Sequence, residues 1–284
     1  MGTSNSFGGP NSSTPLIPSW LPDTNPATPT PEPAEVPPTE TPEPPKPGEN
    51  KPLPPIPPAP TDNRFKVARL NFTRFASTGD QRSMKRALGH YVRSGSSGKS
   101  GAARRMGSSS VTASKIASFV SGVQSSGAQE ALAQVHLGDC VGRIASDVLP
   151  KLMDVMCPAG GGLDESIARQ AFTEAVIDLC QNSDVLVENL STDMWNEFLL
   201  DFIARSIEIR VINDIGNRVV AGPKTVEGVE SAEAALHNFI IAGVRQSAGE
   251  SLSKLGSLTS TAASATVQSI YTEAFGLWEQ FADE

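Results

Sequence analysis

The chain has 284 residues, 19% of them charged, and a formal net charge of −8. No run of 18 apolar residues occurs, which argues against a membrane-spanning helix, and no basic stretch leads into an apolar one near Met1, which argues against a secretory signal. The acidity hides a reversal: residues 64–105 carry eleven Lys and Arg against the single acid Asp80, between two acidic flanks.

The first 22 residues, opening MGTSNSFGGP, are rich in glycine and serine. They hold Gly2, Gly8 and Gly9, with the isolated aromatics Phe7 and Trp20 and the short apolar pair Leu16 and Ile17. Residues 23–62 are dominated by proline, and twenty of the 23 prolines precede residue 61. Proline fixes φ and lacks a donor, so this density excludes regular helix and interior strand. Large apolar side chains are too sparse there to offset chain entropy. The expectation is a disordered, polyproline-II-like linker whose forty residues reach roughly 100 Å at about 3.1 Å per residue. An inert spacer is one reading; an SH3-type ligand in KPLPPIPPAP is another. Three parts follow: an N-terminal peptide at 1–22, the linker at 23–62 and a folded body at 63–284.

The body reads as helical almost throughout. Over residues 64–77, Phe65, Ala68, Phe72 and Phe75 form one stripe. Asp80 is placed to cap a second helix bearing Met84, Leu88 and Tyr91. Asp164 is expected to cap a helix with Ala168, Phe172, Ala175, Val176 and Leu179 inward. Ser191 opens the strongest helix, with Trp195, Phe198, Leu199, Phe202, Ile203 and Ile207 inward and Glu197, Asp201, Arg205 and Glu208 on the other face. Residues 230–248 repeat the pattern with Ala235, Leu236, Phe239, Ile240 and Val244. The last helix, about 260–281, offers Val267, Ile270, Tyr271, Ala274, Trp278 and Phe281. The one strand candidate, EIRVI at 208–212, continues a helical pattern. The predicted fold class is all-α, a helical bundle.

Catalytic patterns are thin. RSGSSGKS at 93–100 lacks the first glycine of a phosphate loop, because Arg93 stands there, and a helix rather than a strand precedes it. His90, His136 and His237 are scattered without an HExxH pattern, so no metal site is expected. Cys140, Cys157 and Cys180 have no paired spacing and read as reduced core residues of a cytoplasmic protein. The glycines at 160–162 read as a loop before a helix. No enzyme and no cofactor are predicted. The basic segment, with Arg104 and Arg105 in AARRMG, has three readings: a dock for an acidic protein partner or for the chain's own acidic half, a nucleic-acid surface, or a solvated face. Nucleic-acid binders usually interleave accessible aromatics with their charges, and Phe65, Phe72 and Phe75 lie on the apolar stripe instead.

The start MGTSNSFGGP with PLIPSW, then NFTRFASTG, ALGHYVRSG, AARRMG, ESIARQAF and FLLDFIARSIEIRV, resembles the QatB family of the bacterial Qat anti-phage defence system. The resemblance spans nearly all the chain except the linker. It implies an operon with an ATPase, an enzyme similar to 7-cyano-7-deazaguanine synthase (the QueC type) and a TatD-like nuclease, and it implies no catalytic residues here. On that footing the expected role is a non-enzymatic subunit that presents its N-terminal peptide to the QueC-like partner. Gly2 is then the candidate modification site. Thr3, Ser4 and Ser6 are expected to hydrogen-bond within the partner's tunnel, Gly8 and Gly9 to let the backbone turn and approach closely, and Phe7, Leu16, Ile17 and Trp20 to anchor outside it. The alternative is an adaptor that binds nucleic acid through the basic segment or membrane through a lipidated N-terminus, since MGTSNS fits the M-G-x-x-x-[ST] pattern. An idle tail is the third reading.

Overall fold

The computed structural model describes residues 63–157, 160–181, 184–216, 226–249 and 260–284. The N-terminal peptide and the proline-rich linker lie outside the described residues, and so do the expectations placed on them. Among the described residues there are ten α-helices and no strand, which is the expected all-α bundle.

The first hairpin shows how local sequence sets an element boundary. Helix α1 (Lys66–Thr78) ends at Gly79, whose φ of +70° is left-handed and whose N–H returns to the Phe75 carbonyl. Glycine adopts that conformation without the cost a Cβ imposes. Asp80 follows at once as the cap of α2 (Gln81–His90), its carboxylate accepting from the Arg82 and Ser83 amides. Phe65, Ala68, Phe72, Phe75, Met84, Leu88 and Tyr91 are all buried, as the stripes required. A π-helical segment, Tyr91–Gly95, extends α2, and a bend leads into the short α3 (Lys99–Arg104).

Helix α4 (Gly107–Ser126) is poor in large apolar groups, yet it threads the body, packing on α5 (Ala128–Gln134), α7 (Leu163–Cys180), α8 (Thr192–Val211) and α10 (Ser260–Glu279). Its buried Ser109, Thr112, Ala113, Ala117 and Ser121 let its neighbours approach closely. An antiparallel bridge between Ile144 and Leu186 pins the loop before α6 (Ala145–Met156) to the loop after α7.

Helix α8 is the axis. Ser191 caps it, accepting from the Met194 amide at 3.2 Å. Trp195, Phe198, Phe202 and Ile207 are buried as expected, and so are Leu200, Ile209 and Val211. Glu208 and Arg210 are also buried, which corrects the assignment of Glu208 to an outer face: the end of α8, residues 206–211, is covered on every face, and His237 of the helix packed across it sits against the Glu208 carboxylate. The residues EIRVI are helical, running into a second π-helical segment, Ile212–Gly216. The expectation for Asp164 is also corrected. Gly162 occupies the cap position of α7, and Asp164 lies inside the first turn with its carboxylate on Arg210.

Helix α9 (Val226–Ala248) covers α8, and α10 packs on α2, α3, α4 and α9. Val267, Ile270, Tyr271, Ala274 and Trp278 are buried, while Phe239 and Phe281 are half-buried and pack against each other. A last turn, Gln280–Asp283, closes on α2, where Gly89 leaves no room for a Cβ beside the Ala282 backbone.

Candidate docking surface and the ionic clusters beneath it

Residues 64–105 fold as α1, α2, the first π-helical segment and α3. Several of their positive charges are spent within the chain. The Arg105 guanidinium donates to Asp214 Oδ2 at 2.6 Å, and the Tyr91 hydroxyl donates to the same oxygen at 2.9 Å. Arg69 donates twice to the Asp214 carbonyl, at 3.0 and 3.2 Å. Arg64, Arg69 and Arg105 surround the Phe65 ring at 4.8, 5.7 and 5.3 Å from its centroid, and Tyr91 stacks on it. Both π-helical segments therefore contribute to one cluster, Tyr91 from the first and Asp214 from the second. Burial, together with the adjacent Asp214 carboxylate, pushes the Tyr91 phenol well above its ordinary value. Farther along, Arg93 pairs with Asp283, the Lys99 amide donates to Glu279, and Lys85 lies 5.2 Å from the Phe281 ring centroid.

The two arginines singled out in AARRMG thus part company. Arg105 is tied to Asp214 and only about a quarter exposed, whereas Arg104 is exposed. Lys66, Arg74 and Arg82 are exposed as well, and with Arg104 they have no ion-pair partner among the described residues.

A second cluster lies between α7, α8 and α9. Arg205 reaches Glu174 and Asp178 on α7 and Asp201 on its own helix. The His237 ring on α9 sits between Glu208, at 2.8 Å from Nδ1, and Asp201, at 3.6 Å from Nε2. Burial raises the Asp201 carboxyl above its ordinary value, against the opposing pull of Arg205 and His237. Open clefts of about 710 and 490 Å³ flank His237. A third contact joins Arg210 to Asp164 and to the Arg105 carbonyl at 2.6 Å. Apart from the Arg205–Asp201 contact within α8, these pairings join residues from 27 to 190 positions apart, so helical spacing could not reveal them. Among the described residues no group of three or more His, Cys, Asp or Glu is arranged to hold a metal, and no helix is long and apolar enough to cross a membrane.

Fold and site define an all-α protein whose helices are cross-linked by buried and half-buried ion pairs. Residues 97–278 match the family model described as Qat anti-phage system associated protein QatB. The match runs from the bend before α3 to the end of α10, well over half of the chain, and the protein belongs to that family. It is therefore a component of an anti-phage defence system. No curated protein and no solved structure matches the chain.

Proposed function

We propose that this protein is a non-enzymatic subunit of the Qat system that docks through its helical body and presents its N-terminal peptide to a QueC-like partner. The observation that carries this reading is how the body uses its polar groups. Arg105, Arg205, Arg210 and His237 are each held against carboxylates of the same chain. Groups so engaged fix helices against one another; they are poorly placed to attack or protonate a substrate. Chemistry involving this subunit then falls to a segment outside the body, and Gly2 is the residue suited to it.

Removal of Met1 ahead of a small residue exposes an α-amine with no side chain to crowd it. That amine has an unperturbed pKa of about 8, so a usable fraction is neutral at pH 7. A synthase-type partner activates a carboxylate as its adenylate. The amine attacks the acyl carbon, the nucleotide leaves, a proton is lost, and an amide forms on Gly2. Thr3, Ser4 and Ser6 supply hydrogen bonds in the partner's tunnel. Gly8 and Gly9 allow close backbone approach, and Phe7, Leu16, Ile17 and Trp20 are the apolar anchors. The exposed Lys66, Arg74, Arg82 and Arg104 supply the body's attraction to an acidic partner surface.

The test is mass spectrometry of the N-terminal peptide after co-expression with the QueC-like protein. A Gly2 adduct supports the reading. An unmodified Gly2 in cells where the defence is active refutes it, as does full protection by a chain lacking residues 2–9.

A further inference from the structure

Helices α4, α5, α6 and α10 line an open groove of about 1020 Å³ that contains no residue of the ion-pair clusters. Its floor is a row on α4, Ser110, Ser114, Ser118 and Gly122, each four residues from the next and so in line. The Ser114 and Ser118 hydroxyls donate back to the Ser110 and Ser114 carbonyls at 2.8 and 2.9 Å. Ser110 donates to Gln268 on α10 at 3.3 Å. The floor is therefore small-sided and its hydroxyls are already engaged. The row runs for about 18 Å, a little over three helical turns. Phe119 and Met156 lie buried at the base, and Val111 and Val155 stand at the rim, 51% and 42% exposed. No lining residue is acidic, although the chain beyond residue 106 is rich in Asp and Glu. The one charge in the lining is Lys115, exposed near the middle of the row and without an ion-pair partner among the described residues.

We propose that this groove seats an amphipathic helix of another protein, about three turns long, with an apolar face and a carboxylate near its middle. The walls select a helix. All of them are helical and offer no strand edge, so an extended segment would leave its main-chain groups unpaired, whereas a helix pairs its own. The small floor lets the incoming axis approach at the short end of the usual 8–10 Å range. Charge selects the acid, because Lys115 is the charge that such a helix meets. The surface of this chain argues against a second copy as the occupant: among the described residues no helix carries more than two exposed large apolar side chains, so none offers a matching three-turn face. The groove would add a mainly apolar attachment to the charged one made by the exposed bases of α1 to α3. The inference rests on the reading that the body docks, and is independent of Gly2.

The test replaces Val111 by p-benzoyl-L-phenylalanine in the full chain, co-expresses it with the operon partners, irradiates the purified complex and maps the products by peptide mass spectrometry. Val111 is half exposed, so the core is left intact, and a thermal melt matching that of the parent checks this; Val155 carries the same probe as a second site. The expected product joins position 111 to a partner peptide with apolar residues at i, i+3, i+4 and i+7 and an Asp or Glu within one turn of them. Lys115→Glu should lower the yield about tenfold by setting like charges together. Ser118→Trp, which fills the floor, should abolish it. A product with a second copy, a product within the same chain, or a yield indifferent to Lys115→Glu would each overturn the proposal. A complex that assembles without an adduct at either position sinks this inference alone, whereas failure of any complex to assemble sinks the docking reading with it.

Discussion

Asp214→Asn isolates the cluster that fastens the first helical hairpin to the end of α8. The substitution preserves shape and leaves the Asp214 carbonyl free to accept from Arg69. What changes is Oδ2, which now serves both Arg105 at 2.6 Å and Tyr91 at 2.9 Å. An amide oxygen can keep the Tyr91 bond, but it cannot neutralise the guanidinium. Hydrogen bonds to charged groups contribute about 1.5–3 kcal/mol. Arg105 keeps 23% of its side-chain surface in water, which recovers part of that loss. The expected cost is about 2 kcal/mol, or a melting temperature lower by about 4–8 °C for a domain of this size. Urea unfolding followed by the fluorescence of the buried Trp195 and Trp278 measures it. Adding Arg105→Ala to Asp214→Asn should then cost clearly less than Arg105→Ala alone, because the charge partner has already gone. A stability for Asp214→Asn within about 0.5 kcal/mol of the parent would refute the view that this ion pair is a structural fastener.

Other substitutions probe the rest of the body. Phe202→Ala, at a fully buried position beside Phe172, should cost about 3–5 kcal/mol in the same urea titration. Tyr271→Phe should cost about 1 kcal/mol, since Ser206 keeps its bond to the Ile203 carbonyl, whereas Ser206→Ala strands the buried phenol and should cost about 1–3 kcal/mol. Arg104→Glu should weaken co-purification with the operon partners and leave the melting temperature unchanged. Arg105→Glu should lower the melting temperature by placing a second carboxylate against Asp214. Burial first, then Arg86 and Arg93, lowers the His90 pKa from its ordinary 6.5. The folded chain thus binds that proton more weakly than the unfolded chain, and stability is lost as pH falls from 6.5 toward the folded value. His90→Asn should flatten the fall of melting temperature across that interval, and an unchanged slope would contradict the assignment.

The helices most legible in the sequence were those whose large apolar groups repeat at helical spacing. In α1, α2 and α8 the stripes and the caps Asp80 and Ser191 appear as read. Helix α4 gave no such signal. Beside Ile116, Phe119 and Val120 its buried residues are serine, threonine and alanine, and small residues mark a tight contact only once the neighbouring helices are in place. Asp164 had the chemistry of a cap, but Arg210 on α8 claims its carboxylate. The same limit hid the site. Arg105 looked like half of a surface pair with Arg104 because its partner lies 109 positions away. Glu208 looked solvated because His237, which covers it, belongs to another helix. Side-chain pairing rules work over three or four residues, and every ionic contact joining two helices here exceeds that span.

The closure of the last turn on α2 bears on how relatives of this protein can be recombined. Arg93 meets Asp283, Gly89 admits the Ala282 backbone, and Lys85 sits by Phe281. All six residues fall outside the stretch 97–278 that the family model matches. The two ends beyond that stretch are thus fitted to each other. A chimera that exchanges residues 63–96 between family members should inherit its stability only when residues 279–284 travel with them. Across the family, a larger residue at position 89 should coincide with a rebuilt or shortened final turn.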